Sequence, residues 1–348
     1  MAAEDLSLTY LRDRGVLEAT FAAYGGQIGS PRDTAVIAGR LNRDQAKVGR
    51  DPNWPAVEEI LWFPIRGVSG ELVHWIARPL PKYGDSKFVA PTGSNGSLWI
   101  PAETYAVAKH VSVPLVISEG PVKGMALIQA GARPIAPVGV WMVTVKDGES
   151  DETEEEDSNP ADGARVKLHP ILQHFQLAGR KVFLAFDADR TENPHVRHAE
   201  IRAWMALFTS GADVYQLCTW ELKDGKGIDD YIAARVGTDP AKQCEVYHEL
   251  FERAVPFIET LGDSDAKTVT SELHRTQDDR VQFELLRTKL AKALKIPKDS
   301  FGQFRRGEKD GIAAAAKTIP PTAKPWDEPV QAKEVLDEIC ATIHRFVG

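Results

Sequence analysis

Three carboxylates stand out by type and position: Glu119, Asp187 and Asp189. Glu119 closes the apolar run VPLVISE (113–119) and is followed by Gly120, while Asp187 and Asp189 end the run KVFLAFDAD (181–189). Ligands of open parallel α/β sheets bind beyond the carboxyl ends of the strands, so both runs deliver their acids to the same rim. Side chains two apart on an extended backbone point the same way, which pairs the two aspartates. Mg²⁺ is satisfied by one or two carboxylates with water and phosphate oxygens completing its shell, and Mn²⁺ takes similar oxygen ligands. Such an ion polarises a phosphoryl oxygen and steadies an attacking or leaving oxygen. The chemistry expected is therefore divalent-metal-dependent phosphoryl transfer. Taken singly, a DxD at a strand end also fits a solvated loop, and the combination of the two sites carries the reading.

The elements that must position these acids follow from periodicity. Residues 5–50 read as helical, broken at Gly25 to Gly29. ILWFPIR, a GVSG turn and ELVHWIARPL then form a β-hairpin pattern, and 81–101 is a Gly-, Ser- and Lys-bearing loop. From 113 onward strands alternate with helices: strand 113–119, helix 121–131 stopped by Gly131, strand 133–140, helix 169–179, strand 181–189, helix 196–212 and strand 213–220. That alternation implies a parallel sheet covered on both faces. Residues 240–309 read as charged helices, 311–329 as a proline-bearing linker, and 333–348 as one further amphipathic segment.

Composition sets the class. With 43% hydrophobic and 26% charged residues the chain is an ordinary globular one, large enough at 348 residues for two or three cores. No apolar run approaches the roughly 20 residues that span a bilayer, so no membrane partner is expected. The first residues lack a signal-peptide pattern, and Cys218, Cys244 and Cys340 show no CxxC spacing. A cytoplasmic protein without a disulfide framework follows. The net charge of −8 looks hostile to nucleic acid, but nine acids fall between Asp147 and Asp162, leaving the remainder nearly neutral. This block reads as a disordered, solvated insertion at 147–164, with mimicry of nucleic acid in a basic groove as the competing idea.

Residues 113–233 resemble a Toprim domain, through VISEG, ALIQAG, PVGV, VFLAFDAD and KGIDDYIA. The preceding FPIRGVSGELVHWIARPL and PKYGDSKFV are similar to the lobe that comes before Toprim in DnaG-type primases. SEGPVKG and FDADRTENP resemble the wording of the primase-like family found in phage and plasmid replication proteins. The resemblance implies an α/β Toprim parallel sheet flanked by helices (106–238), a small mixed α/β lobe before it (1–105) and a helical extension after it (239–310). A linker (311–332) and the start of a further segment (333–348) complete the expected organisation.

For function, the resemblance implies nucleotidyl transfer on a single-stranded DNA template with nucleotides, using Mg²⁺ or Mn²⁺. Glu119 would act as acid or base, Asp187 and Asp189 would hold the metal together with Glu119, and Asp229 would be an accessory acid. Arg66, Arg78, Lys82, Lys87 and Lys123 would contact phosphates, which give affinity rather than sequence choice. Two departures stand out: Lys123 and Gly227 occupy positions where primases carry acids. No zinc-ribbon pattern occurs in these residues. A Toprim nuclease and an inactive nucleic-acid-binding module serving a downstream helicase domain or partner are the alternatives. His195 and His198 lack a third metal ligand and read as a solvent-facing pair. Trp62 and Trp75 could stack bases, although core packing is the ordinary role of tryptophan in strands.

Overall fold

The computed structural model describes residues 5–94, 96–146, 165–276 and 280–302. The chain divides into two units, Met1–Phe304 and Arg305–Gly348, and all described residues belong to the first. The acidic insertion at 147–164, the linker, the final segment and Cys340 lie outside the described residues.

Four short helices open the chain: α1 (Leu6–Asp13), α2 (Glu18–Ala23), α3 (Thr34–Arg40) and α4 (Gln45–Arg50). The side chains of Asp5, Asp33 and Asp44 cap α1, α3 and α4 by accepting from backbone N–H groups three residues on, which satisfies otherwise orphaned donors. Strand β1 (Gln27–Gly29) lies between α2 and α3, and β2 (Glu59–Arg66) and β3 (Leu72–Leu80) form the expected hairpin. The three make an antiparallel sheet in the order β1-β2-β3. Strand β2 reads as an unbroken apolar run because both its faces are covered. Leu61, Phe63 and Ile65 pack with α1, α2 and the later helix at 121–129, whereas Ile60 and Trp62 pack with Ile37, Leu41 and Val48.

The second sheet follows from β4 (Leu98–Trp99), helix α5 (Ala102–Ala106), β5 (Leu115–Ile117), α6 (Pro121–Gln129) and β6 (Pro134–Pro137). A small hairpin, β7 (Thr144–Lys146) with β8 (Val166–Leu168), flanks the insertion; then come β9 (Lys181–Leu184), α7 (Pro194–Thr209), β10 (Asp213–Gln216), α8 (Ile228–Val236), α9 (Pro240–Arg253) and β11 (Val255–Pro256). Helices α10 (Ala266–Thr276) and α11 (Arg280–Leu294) end the described part. The strand order is β11-β10-β9-β5-β6-β4, with the four inner strands parallel and both edges antiparallel. Alternate residues serve opposite faces. Leu115, Ile117, Val182 and Leu184 pack under α7, α10 and α11, while Val116 and Phe183 pack under α8 and α9. The result is a mixed α/β fold with a small antiparallel sheet and a mostly parallel six-stranded one. No helix among the described residues is long and apolar enough to cross a membrane.

Two local expectations are corrected. Residues 169–179 do not form an α-helix but a 3₁₀ turn, Pro170–His174. The Gln176 N–H bonds to Ala108 O (2.9 Å) instead of to its own segment, and Leu172, Phe175 and Leu177 are drawn into the core. The strand expected over 181–189 stops at Leu184, and Ala188–Thr191 is a 3₁₀ turn. There the Ala188 N–H leaves the sheet to bond Lys226 O at 2.8 Å.

Candidate active site

Strand adjacency places the acids. From β5 the chain crosses through α6 to β6 on one side, and from β9 through α7 to β10 on the other. The gap between β5 and β9, paired Ile117 to Leu184, is thus the point where the winding reverses and a crevice opens at the carboxyl ends. Glu119 leaves β5 beside this crevice. Ser118 and Gly120 donate to Ile135 O (3.1 Å) and Pro137 O (2.7 Å), and at Gly120, φ +85°, the chain turns into α6. Asp187 follows β9, where Ala185 N–H still bonds Ile117 O at 2.8 Å. Asp187 (φ −61°, ψ 147°) is the last extended residue and Asp189 sits in the 3₁₀ turn, so the pair is not carried on one straight strand. Both nonetheless face one ammonium: Lys226 Nζ lies 2.7 Å from Asp189 Oδ2 and 3.9 Å from Asp187 Oδ2.

Lys123, in the first turn of α6, reaches into the centre of the group and pairs with Asp187 Oδ1; its side chain is only 13% exposed. Burial pulls its pKa down, but the carboxylates of Asp187, Glu119 and Asp229 and the Asp187 hydrogen bond outweigh this and hold it above the ordinary lysine value. Asp229, at the start of α8, is 2% exposed. Its Oδ2 accepts from Arg14 Nη1 at 3.2 Å, while its Oδ1 is buried without a hydrogen-bond partner. Burial pushes the Asp229 carboxyl up, opposed by Lys123 and Arg14 and reinforced by Asp230 and Asp187. Gly227 makes this packing possible. A Cβ there would collide with Asp229 Oδ1 and stand 2.5 Å from Lys123 Cε.

The expected phosphate-binding cations separate into two groups. Lys87 is close enough to feel Glu119, Lys226, Lys123 and Asp187; shielding from water, with help from the two ammonium groups, lowers its pKa against the pull of the carboxylates. Arg78 lies over the Tyr10 and Phe88 rings at 5.2 and 5.1 Å, and Phe88 in turn abuts Gly120. Arg66 is not brought to this group. It sits at the hairpin turn, donating to Gly70 O at 3.0 Å, five residues along β2 from the partner of Arg78, or about 17 Å. Lys82 is exposed just beyond β3, and no contact places it with the acids.

Three participants were given no role from sequence: Lys226, Arg14 and Tyr10. Lys226 opens the KGIDDYIA run that carries part of the resemblance. Tyr10 lies on α1 and Arg14 directly after it, with its guanidinium 5.5 Å from the Tyr10 ring, and nothing local announces a carboxylate partner 215 residues away. His195 and His198 do not pair: His195 is exposed, and His198 Nε2 is hydrogen-bonded to Glu272 Oε1 at 2.7 Å. Trp62 is buried at 1% exposure, and Arg40 stacks 4.9 Å from its ring and 4.1 Å from that of Trp75. Cys218 and Cys244 are free thiols, and burial pushes the Cys218 thiol up to about 11.

Asp187 and Asp189 are the residues that could hold a hard divalent ion. Asp189 Oδ1 is buried and lacks a hydrogen-bond partner, and Asp187 Oδ2 has only the 3.9 Å approach of Lys226, whose side chain is 47% exposed. Among the described residues no three acids, histidines or cysteines converge tightly enough to hold an ion unaided. The donors present are two carboxylates, which suits Mg²⁺ or Mn²⁺ sharing its shell with water and phosphate.

Residues 105–239 match a family model described as a domain of unknown function, DUF3854. No curated protein matches the sequence. The fold is similar to the zinc-binding and RNA polymerase domains of the Aquifex aeolicus primase, with TM-score 0.51 at 15% identity over 86% of this chain and 70% of that one. It is equally similar to a DNA primase domain from Pseudomonas aeruginosa, with TM-score 0.51 at 15% identity over 86% of this chain and 92% of the other. At such identity the likeness is one of fold, and function has to be argued from the site.

Proposed function

We propose that this chain is a primase-like nucleotidyltransferase acting on single-stranded DNA. The observation that carries the reading is the adjacency of β5 and β9, which sets Glu119 and the Asp187–Asp189 pair around one crevice in a primase-core-like fold. Asp187 and Asp189 would hold one Mg²⁺ or Mn²⁺, which supplies Lewis-acid stabilisation of the phosphoryl oxygens when bound. Lys87, Lys226 and Arg78 draw the template and nucleotide phosphates towards the acids. Glu119 takes the proton of the 3′ hydroxyl as that oxygen bonds to the α-phosphorus; the bond to the pyrophosphate oxygen breaks and pyrophosphate leaves with its electron pair.

The buried pairing of Lys123 with Asp187 favours a second reading, a silent nucleic-acid-binding module. One assay separates the possibilities. Protein, single-stranded DNA, Mg²⁺ or Mn²⁺ and labelled nucleotides are incubated, and the products are sized. Labelled primers support the proposal, shortened DNA points to a nuclease, and binding with neither product supports the silent module.

A further inference from the structure

The two oxygens of Asp187 point to different places. Oδ1 is bound by Lys123, whereas Oδ2 is approached by the half-exposed Lys226, which also pairs with Asp189. The outer place is the one a divalent ion can enter. Its resident ammonium sits on a side chain 47% exposed and pairs with Asp189 Oδ2, while the other oxygen of Asp189, Oδ1, is buried without a hydrogen-bond partner.

The inner place is different in kind. Lys123 is fixed by the first turn of α6, its stem passes over Gly227, and its ammonium is 13% exposed. Glu119 and Asp229 lie within its electrostatic reach besides the bonded Asp187. Asp229 contributes a buried oxygen with no donor, turned into this packing beside the Gly227 Cα. Several carboxylates gathered away from water repel one another unless a cation lies among them. An exposed, mobile lysine would serve as a phosphate hook, but this one is turned inward and already paired.

We propose that Lys123 is a built-in cation of the acidic centre, filling the inner position so that the centre takes up a single divalent ion at the outer one. This rests on the reading of Asp187 and Asp189 as a metal pair, and Lys123 acts through them as a positioning residue. Replacing Lys123 with a neutral side chain of similar length leaves the inner position without its charge, and a second divalent ion then has reason to enter.

The test counts bound Mn²⁺ by electron paramagnetic resonance and records melting temperature in EDTA and in excess Mg²⁺, for wild type, Lys123→Met, Lys123→Arg and Lys123→Met/Asp187→Asn. Wild type is expected to bind one Mn²⁺ and to melt only modestly higher in excess Mg²⁺ than in EDTA, by the contribution of that single ion. Lys123→Met is expected to bind a second Mn²⁺ and to melt several degrees lower in EDTA, recovering in Mg²⁺. Lys123→Arg should behave as wild type, and the double variant should regain stability in EDTA because the strongest uncompensated charge is gone. Lys123→Met binding one Mn²⁺, with no greater response to Mg²⁺ than wild type, would overturn the proposal while leaving the metal pair intact. If Lys123→Met is unstable in both buffers and the double variant does not recover, the lysine is merely structural and the proposal is wrong. If wild type binds no Mn²⁺ beyond an Asp187→Asn/Asp189→Asn control, the metal-pair reading fails and takes the proposal with it.

Discussion

Glu272 ties α10 to α7, and its replacement has a magnitude that can be worked from the geometry. The carboxylate is fully buried on α10. It accepts two hydrogen bonds from Arg202 of α7, at 2.8 and 2.9 Å, one from His198 at 2.7 Å and one from Arg275 at 3.3 Å. Burial alone would raise its pKa, but these hydrogen bonds and the charges of Arg202 and Arg275 lower it from 4.5 to about 2. A displacement of that size corresponds to roughly 3 kcal/mol at neutral pH. Removing one partner of a buried pair generally costs about 3–5 kcal/mol, the same order. Glu272→Gln should therefore lower the melting temperature by roughly 6 °C, at about 2 °C per kcal/mol for a unit of this size. The sign with pH follows from the depressed folded-state value. The stabilisation is present above the unfolded pKa near 4.5 and is lost as pH falls towards about 2. Denaturant melts of wild type and variant should differ at pH 7, with the gap narrowing as the buffer is acidified from pH ~5 towards ~2. Equal stability at pH 7, or a gap that persists unchanged in acid, refutes the assignment of that energy to the Glu272 charge.

Other consequences are simpler to state. Gly227→Ala should partly reproduce the Lys123→Met behaviour, because the new Cβ meets Lys123 Cε and Asp229 Oδ1; increased sensitivity of the melting temperature to EDTA is the measurement. Lys87→Ala should weaken single-stranded DNA binding and flatten its dependence on log salt by about 0.7, the contribution of one phosphate contact. Arg66→Ala should leave that slope unchanged, since its guanidinium is bonded within the hairpin turn. Fluorescence anisotropy across a salt series decides both. Arg14→Ala leaves the buried Asp229 without its guanidinium partner and should cost about 1–3 kcal/mol, read by urea unfolding.

Much of the scaffold was legible because its signals are local. The β2–β3 hairpin announces itself by its turn, and the strand-helix alternation from 113 announces a parallel sheet with Glu119 and Asp187 on its carboxyl rim. Strands of two or three residues, such as β1, β4 and β11, are too short to show a period and exist only through their partners. The 3₁₀ turn at Pro170–His174 was missed because a tertiary acceptor, Ala108 O, decides where the Gln176 N–H goes. Within the site, residue types were readable and pairings were not. Lys123 and Gly227 were visible as two separate departures from a primase pattern; only the fold shows that one makes room for the other. Arg14 follows a helix with no sequence link to α8, and the Asp187–Asp189 geometry depends on a backbone hydrogen bond to Lys226 that no spacing rule contains.

The central claim is that Asp187 and Asp189 form the metal pair of a nucleotidyl-transfer centre. The most direct test is incorporation of labelled nucleotide on single-stranded DNA with Mg²⁺ or Mn²⁺, comparing wild type with Asp187→Ala/Asp189→Ala under matched folding. Wild type should make labelled primers, and the double variant should lose at least about 100-fold in rate, as expected when electrostatic stabilisation of the reacting phosphate is removed. Incorporation at the same rate by both proteins would contradict the account.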